Sequence, residues 1–196
     1  PCPAGTHVPS NIAVMSSASQ CVTCPSGTFC SVGSGSATAC APGTFSAGAG
    51  ATTCSACLAG SFQAQEGQSS CVLADAGSFV NETGATAQVP CAAGSYSGSG
   101  ASTCEPCAVG TYVDATGESS CVNADAGFHV PEEGAATQTP CESGKFSGAG
   151  ASQCLECEVG SFSVLGGECT LASTGHYVSA AGSSNETACD PGTFSA

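Results

Sequence analysis

The chain has 196 residues, including 17 cysteines, one Met, no Trp and eight Phe, and its single basic residue, Lys145, faces fifteen acidic ones for a formal net charge of −14. That sign excludes nucleic acid as a partner, because neutralising phosphates needs a surface rich in Lys and Arg. The hydrophobic fraction, 41%, is largely Ala and Cys. It cannot fill a conventional core, and cysteine above roughly 8% reads as a disulfide scaffold from an oxidising compartment.

Taken in chain order, one short phrase recurs: a Gly, any residue, a ring, then a second Gly some residues on. Residues 1–40 carry Gly5/His7 and Gly27/Phe29, with an additional cysteine pair, Cys24 and Cys30. Residues 41–90 carry Gly43/Phe45, Gly60/Phe62 and Gly77/Phe79, and residues 91–140 carry Gly94/Tyr96, Gly110/Tyr112 and Gly127/His129. Residues 141–188 carry Gly144/Phe146, Gly160/Phe162 and Gly175/Tyr177, and residues 189–196 open a further copy with Gly192/Phe194. Three sub-units of about 17 residues thus make a period of about fifty, the mark of a tandem array rather than one globule. The chain begins and ends within a repeat and reads as a window on a longer secreted or surface-anchored protein. It shows no signal peptide and no apolar run of about 18 residues, so no direct membrane insertion is expected.

The first Gly of each sub-unit suits a tight turn and the ring suits a short strand. One ring per sub-unit would stack into a thin ladder, the only apolar spine the composition offers. Gly, Ser and Thr interrupt every window, so no helical period survives. The expected fold is small, disulfide-rich, mostly β-hairpin and irregular, with little or no helix, extended as a tandem-repeat rod.

Four cysteines per period leave the third sub-unit without any. Two wirings fit. Sequential pairing closes each sub-unit on itself, as Cys40–Cys54, Cys57–Cys71, Cys91–Cys104, Cys107–Cys121, Cys141–Cys154 and Cys157–Cys169. The interlocked form joins first to third and second to fourth. Alignment of the repeats puts Cys24 and Cys30 opposite Ala74 and Val80, Ala124 and Val130, and Ala172 and Val178. Both are present once and both absent three times, which favours a bond between them, with Cys2 joined to Cys21. Cys189 would then pair beyond Ala196. Loops of this size are worth roughly 3 kcal/mol per link in the chain-entropy model, so the links, not buried rings, form the framework.

Chemistry is sparse. The Cys-x2-Cys pairs at Cys21/Cys24, Cys54/Cys57, Cys104/Cys107 and Cys154/Cys157 invite zinc, which needs four converging ligands; oxidation is the expected fate in a secreted array. His7 and His129 stand in ring slots, and His176 reads as a turn residue. Calcium finds no Asp-x-Asp-x-Asp run, so no cofactor is expected. No serine sits in a nucleophile elbow, and no enzyme is expected. Asn81-Glu82-Thr83 and Asn185-Glu186-Thr187 are N-glycan sequons in the cysteine-free sub-unit, read as the longest and least constrained loop. Roughly a quarter of the chain is Ser or Thr, which permits O-linked sugar too.

The pattern C-x2-G-x-[FY]-x(n)-G-x(n)-C-x2-C, as in CAAGSYSGSGASTCEPCAVGTYVDATGESSC, resembles the ephrin-receptor-like and tumour-necrosis-factor-receptor-like cysteine-rich repeats. The resemblance covers nearly the whole chain. It implies short β-hairpins wired by disulfides, and a bond between neighbouring cysteines in the Gly-x-Tyr sub-unit. Long Gly/Ala/Ser-rich arrays of this kind look like surface proteins of protists and algae, including mastigoneme filaments. The expectation is a structural segment of an extracellular fibre or coat, with copies of itself or other coat proteins as partners and the secretory pathway as its route. A ligand-binding or adhesive receptor ectodomain is the alternative.

Overall fold

The computed structural model describes residues 1–11 and 16–193; Phe194, the ring that opens the final copy, lies outside the described residues. Among the described residues, twenty-two strands of two residues each pair into eleven two-stranded antiparallel hairpins. The one helical element is a 3-10 turn at Ala18–Gln20, capped by the Ser17 side chain. The fold is a disulfide-rich array of β-hairpins.

The sequence dictates each hairpin locally. In the one that pairs Thr44–Phe45 with Ser55–Ala56, Phe45 faces Ser55 and Thr44 faces Ala56. Before the strand, the Thr44 N–H and hydroxyl both donate to the Ala41 carbonyl, at 3.0 and 2.7 Å. Thr28, Ser61, Ser95 and Thr111 repeat that side-chain bond. A Ser or Thr beside the glycine therefore closes the turn that launches the strand.

The chain divides into two compact units, Pro1–Pro90 with Ser97–Cys104, and Cys91–Tyr96 with Glu105–Ala196. Within the first unit, each sub-unit glycine joins its own hairpin to the next. Gly43 accepts from the Cys57 N–H that ends its hairpin and donates to the Gln63 carbonyl of the following one, at 2.9 and 2.7 Å. Gly60 does the same with Ala74 and Val80. The hairpin two places on also makes contact: Gly84 N–H donates to the Cys57 carbonyl at 2.7 Å. Within the second unit the pattern repeats, with Gly110 between Ala124 and Val130, and Gly144 between Cys157 and Ser163.

From Gly5 to Gly144 this packing leaves no room for a side chain at most of the first glycines, whereas a Cβ at Gly160 or Gly175 would meet open space. Gly94 has φ +84°, and a Cβ there would run into the carbonyl oxygen of Gly134. Positive φ alone disfavours any L side chain; the close backbone approach makes the requirement absolute.

The rings do not form the spine. Phe45, Phe62, Phe79, Tyr96, Tyr112, Phe146 and Phe162 are half-buried, and Tyr177 is exposed. Most of the buried side chains are the cysteine or Ala that ends a hairpin and the residue just after the ring. In the first unit these are Cys24, Cys30, Cys40, Ser46, Cys57, Gln63, Ala74, Val80 and Ser97; the second unit uses Cys107, Val113, Ala124, Val130, Ser147, Cys157, Ser163 and Val178. The cause is the junction bond: the glycine seizes the carbonyl after the ring, so that residue is enclosed while the ring lies beside it. Buried polar side chains at these positions are all bonded, for example Gln63 Nε2 to the Ser70 carbonyl at 2.8 Å and Ser147 Oγ to the Phe128 carbonyl at 2.7 Å, as burial demands.

The third sub-unit is not the long free loop the sequence suggested. Residues 80–88 connect Ser78–Phe79 to Val89–Pro90, as many residues as the stretch 63–71 between Ser61–Phe62 and Val72–Leu73. Its backbone is tied by Val80 N–H to the Ala101 carbonyl. His176 is likewise no turn residue; it begins a strand and pairs with Ala188.

Candidate functional site

The framework cysteines pair with near neighbours in sequence, six to nineteen residues apart. Cys2 joins Cys21, Cys24 joins Cys30, Cys40 joins Cys54, Cys57 joins Cys71, Cys107 joins Cys121, Cys141 joins Cys154, and Cys157 joins Cys169. Cys91 and Cys104 are disulfide-bonded too. Cys189 is a free, half-buried thiol. The sulfur links follow the hairpins: Cys57 ends the second strand Ser55–Ala56, and Cys71 immediately precedes the next second strand, Val72–Leu73. This link fastens a hairpin to its successor, and Cys40–Cys54, Cys107–Cys121, Cys141–Cys154 and Cys157–Cys169 do likewise. By contrast, Cys2 and Cys21 precede the two strands of a single hairpin, and Cys24–Cys30 joins the end of one hairpin to the residue after the ring of the next.

Both sequon asparagines, Asn81 and Asn185, are exposed. They occupy different places in the sub-unit. Asn81 lies two residues after the Phe79 ring, whereas Asn185 comes after the turn glycine Gly182, and its Thr187 opens a strand. Glu186, the middle residue of that sequon, accepts from the Ser173 N–H at 2.6 Å. This bond, joined by the nearby His176, holds the Glu186 carboxyl below the ordinary carboxylate range. His176 Nδ1 is enclosed 3.9 Å from Glu186 Oε1, too far for a hydrogen bond. Two neutral counterparts occupy the same slot: Gln88 accepts from Asp75 N–H and donates back to Asp75, and Gln138 does so with Asp125.

The other two histidines each rest on a disulfide. His7 Nδ1 is 3.6 Å from Cys24 Sγ, and His129 Nδ1 is 3.1 Å from Cys154 Sγ and from the Thr139 carbonyl. His129 and Cys154 line a cleft of about 440 Å³ together with Thr139, Glu142, Lys145 and Gln153. Lys145 Nζ lies 3.1 Å from Glu142 Oε2. Elsewhere the Tyr96 hydroxyl donates to Glu105 Oε2 at 3.1 Å; that bond and the carboxylate charge raise the phenol above its ordinary value. The sequence did not single out the cleft, because its members are 25 residues apart and only Lys145 is unusual in isolation.

No helix among the described residues is long and apolar enough to cross a membrane. No curated protein matches the chain. Residues 43–91 and 94–141 match the family model described as tyrosine-protein kinase ephrin type A/B receptor-like. The chain carries two tandem repeats of that family, and these repeats together with the disulfide count fit an extracellular domain.

Proposed function

We propose that the chain is a non-catalytic structural segment of an extracellular, glycosylated fibre or cell-surface coat, comparable to a mastigoneme filament component. One observation carries the reading: the junction from hairpin to hairpin is the same at Gly43, Gly60, Gly110 and Gly144, down to both backbone bonds. Repeated equivalent surfaces suit regular packing between copies or with other coat proteins. The exposure of Asn81 and Asn185 supports N-glycans at both. The secretory pathway would supply the sugars and the oxidation.

An adhesive or ligand-binding ectodomain is the second reading. It is favoured by apolar side chains left in solvent, among them Leu58, Leu73, Val159 and Leu171, at 60–78% exposure. Electron microscopy of the native material separates the two. Ordered filaments containing this chain support the coat reading, and dispersed molecules holding a soluble ligand overturn it. Enzymatic deglycosylation followed by peptide mass mapping should convert Asn81 and Asn185 to Asp; unmodified asparagines would remove the sugar from the proposal.

A further inference from the structure

The cleft at His129 is where the repeat departs most from its own pattern. In the preceding period the positions of His129, Glu142 and Lys145 are held by Phe79, Ala92 and Ser95, and in the one before by Phe29, Ala41 and Thr44. Three polar substitutions have therefore gathered around one disulfide. A titratable imidazole, the only basic side chain of the molecule and a half-exposed sulfur share one wall.

The geometry suits chemistry at sulfur. A ring nitrogen of His129 and the sulfurs of Cys141 and Cys154 all lie within 4.8 Å of one another. Cys154 is half-buried and lines the cleft, while Cys141 is 4% exposed and has Ser147 Oγ at 3.4 Å. A nucleophile entering the cleft meets Cys154 first. With a net charge of −14, the chain repels anions over most of its surface, and a local cation weakens that repulsion. Among the described residues Lys145 is paired with Glu142 alone, whose side chain is 82% exposed. Exposed pairs of this kind are held weakly, so the ammonium is available to an incoming carboxylate.

We propose that this cleft is a thiol–disulfide exchange site for small carboxylate-bearing thiols, acting on Cys141–Cys154. The thiol passes its proton to His129, and the thiolate attacks Cys154 Sγ. The Cys154–Cys141 bond breaks, its electron pair goes to Cys141 Sγ, and the imidazolium returns the proton there. The products are a mixed disulfide at Cys154 and a Cys141 thiol. Rates of such exchange depend on access and on stabilising the departing sulfur, and the cleft provides for both. No electrons are gained or lost overall, and the thiol is the sole co-reactant. The exchange makes Cys154 a site of reversible S-thiolation.

Cys107–Cys121 is the internal reference, since it too joins a buried first sulfur to a half-buried second one and lacks a histidine neighbour. The oxidised full chain is exposed briefly to reduced glutathione, quenched by alkylation and mapped by mass spectrometry. Cys154 should acquire glutathione at least about a hundredfold faster than Cys121, the low end of what a positioned acid–base group provides. His129→Phe, which copies Phe79, should abolish that advantage. Lys145→Ser, which copies Ser95, should reduce the rate with glutathione by about threefold and leave the rate with cationic cysteamine unchanged or higher. Equal labelling of Cys121 and Cys154, an unaltered rate in His129→Phe, or faster exchange with cysteamine than with glutathione in the unmodified chain would each overturn the proposal.

Discussion

Cys24 with Cys30 and Ala124 with Val130 solve the same packing problem by different chemistry. Cys24 N–H donates to the Gly5 carbonyl and Ala124 N–H to that of Gly110; Gly5 N–H donates to Cys30 and Gly110 N–H to Val130. The next two bonds also match, Gly50 to Cys24 and Gly150 to Ala124, Cys30 to Ala51 and Val130 to Ala151, all at 2.8 or 3.0 Å. All four side chains are at most 1% exposed. The backbone frame is thus indifferent to whether a sulfur bridge or a methyl against an isopropyl group fills the space. A third sub-unit needs no disulfide of its own because Ala and Val replace its volume, and close-packed interiors reward volume rather than chemistry.

The comparison implies that the glycine frame matters more than any single filling. Gly60 serves Ala74 as Gly5 serves Cys24. It has φ +87°, and a Cβ there would strike the Gly100 carbonyl. Gly60→Ala should therefore cost more than about 3 kcal/mol, combining left-handed strain with a backbone clash. Urea denaturation of the oxidised protein measures it. A loss under about 1 kcal/mol would mean that the sub-units slide apart cheaply and the frame is not what the two fillings share.

Next in size come the links themselves. Replacing Cys57 and Cys71 by Ser opens a span of 14 residues and should cost about 3 kcal/mol in chain entropy. The pair Cys24→Ala with Cys30→Val should behave differently. It opens a span of only 6, worth about 2 kcal/mol, and restores the apolar burial of Val130, worth about 1.5–3 kcal/mol. The net change should lie within about 1 kcal/mol of zero, read from the same denaturation curves. If this exchange is as damaging as Cys57→Ser with Cys71→Ser, the two fillings are not equivalent.

Much of the frame is visible in the bare sequence, and the reason is physical. Positive-φ glycines tolerate side chains poorly, and a cysteine can be lost only together with its partner, so Gly43, Gly60, Cys57 and Cys71 repeat without drift and announce the hairpins. The identity of the buried residue is less legible. The rings were the apparent spine because they are the largest apolar side chains, yet Phe62 is half-buried and Gln63 beside it is enclosed. A two-residue strand is too short for alternation to declare its inner face. The sole hint was that wherever Ala ends a hairpin, as at Ala74, Ala124 and Ala172, a Val follows the next ring, at Val80, Val130 and Val178. The strand at His176 is illegible for a similar reason, since nothing local marks a strand that depends on Ala188 twelve residues later. The cleft was harder still, because His129 meets Cys154 through the stacking of successive hairpins, which pairwise spacing does not encode.

The smallest effect tests a second internal contrast, between Glu186 and its counterparts Gln88 and Gln138. All three accept a backbone N–H across the hairpin, from Ser173, Asp75 and Asp125, but only Glu186 can lose that role by protonation. Its folded-state pKa is depressed, first by the Ser173 N–H and further by His176. A carboxyl depressed by folding contributes stability that is fully present above its unfolded pKa and disappears as the pH falls through the lower folded one. Glu186→Gln retains the acceptor oxygen and the sequon Asn185-Gln-Thr187 while removing the titration. Thermal midpoints measured against pH should therefore decline more steeply on acidification for the unmodified chain than for this variant. The gap should open as the pH falls through the ordinary carboxylate range and stay small, because the group is solvent-screened. Parallel curves would place the hydrogen bond in the crowd of interactions that solvent replaces at no cost, and would leave Gln and Glu interchangeable at this slot as Cys and Val are at the other.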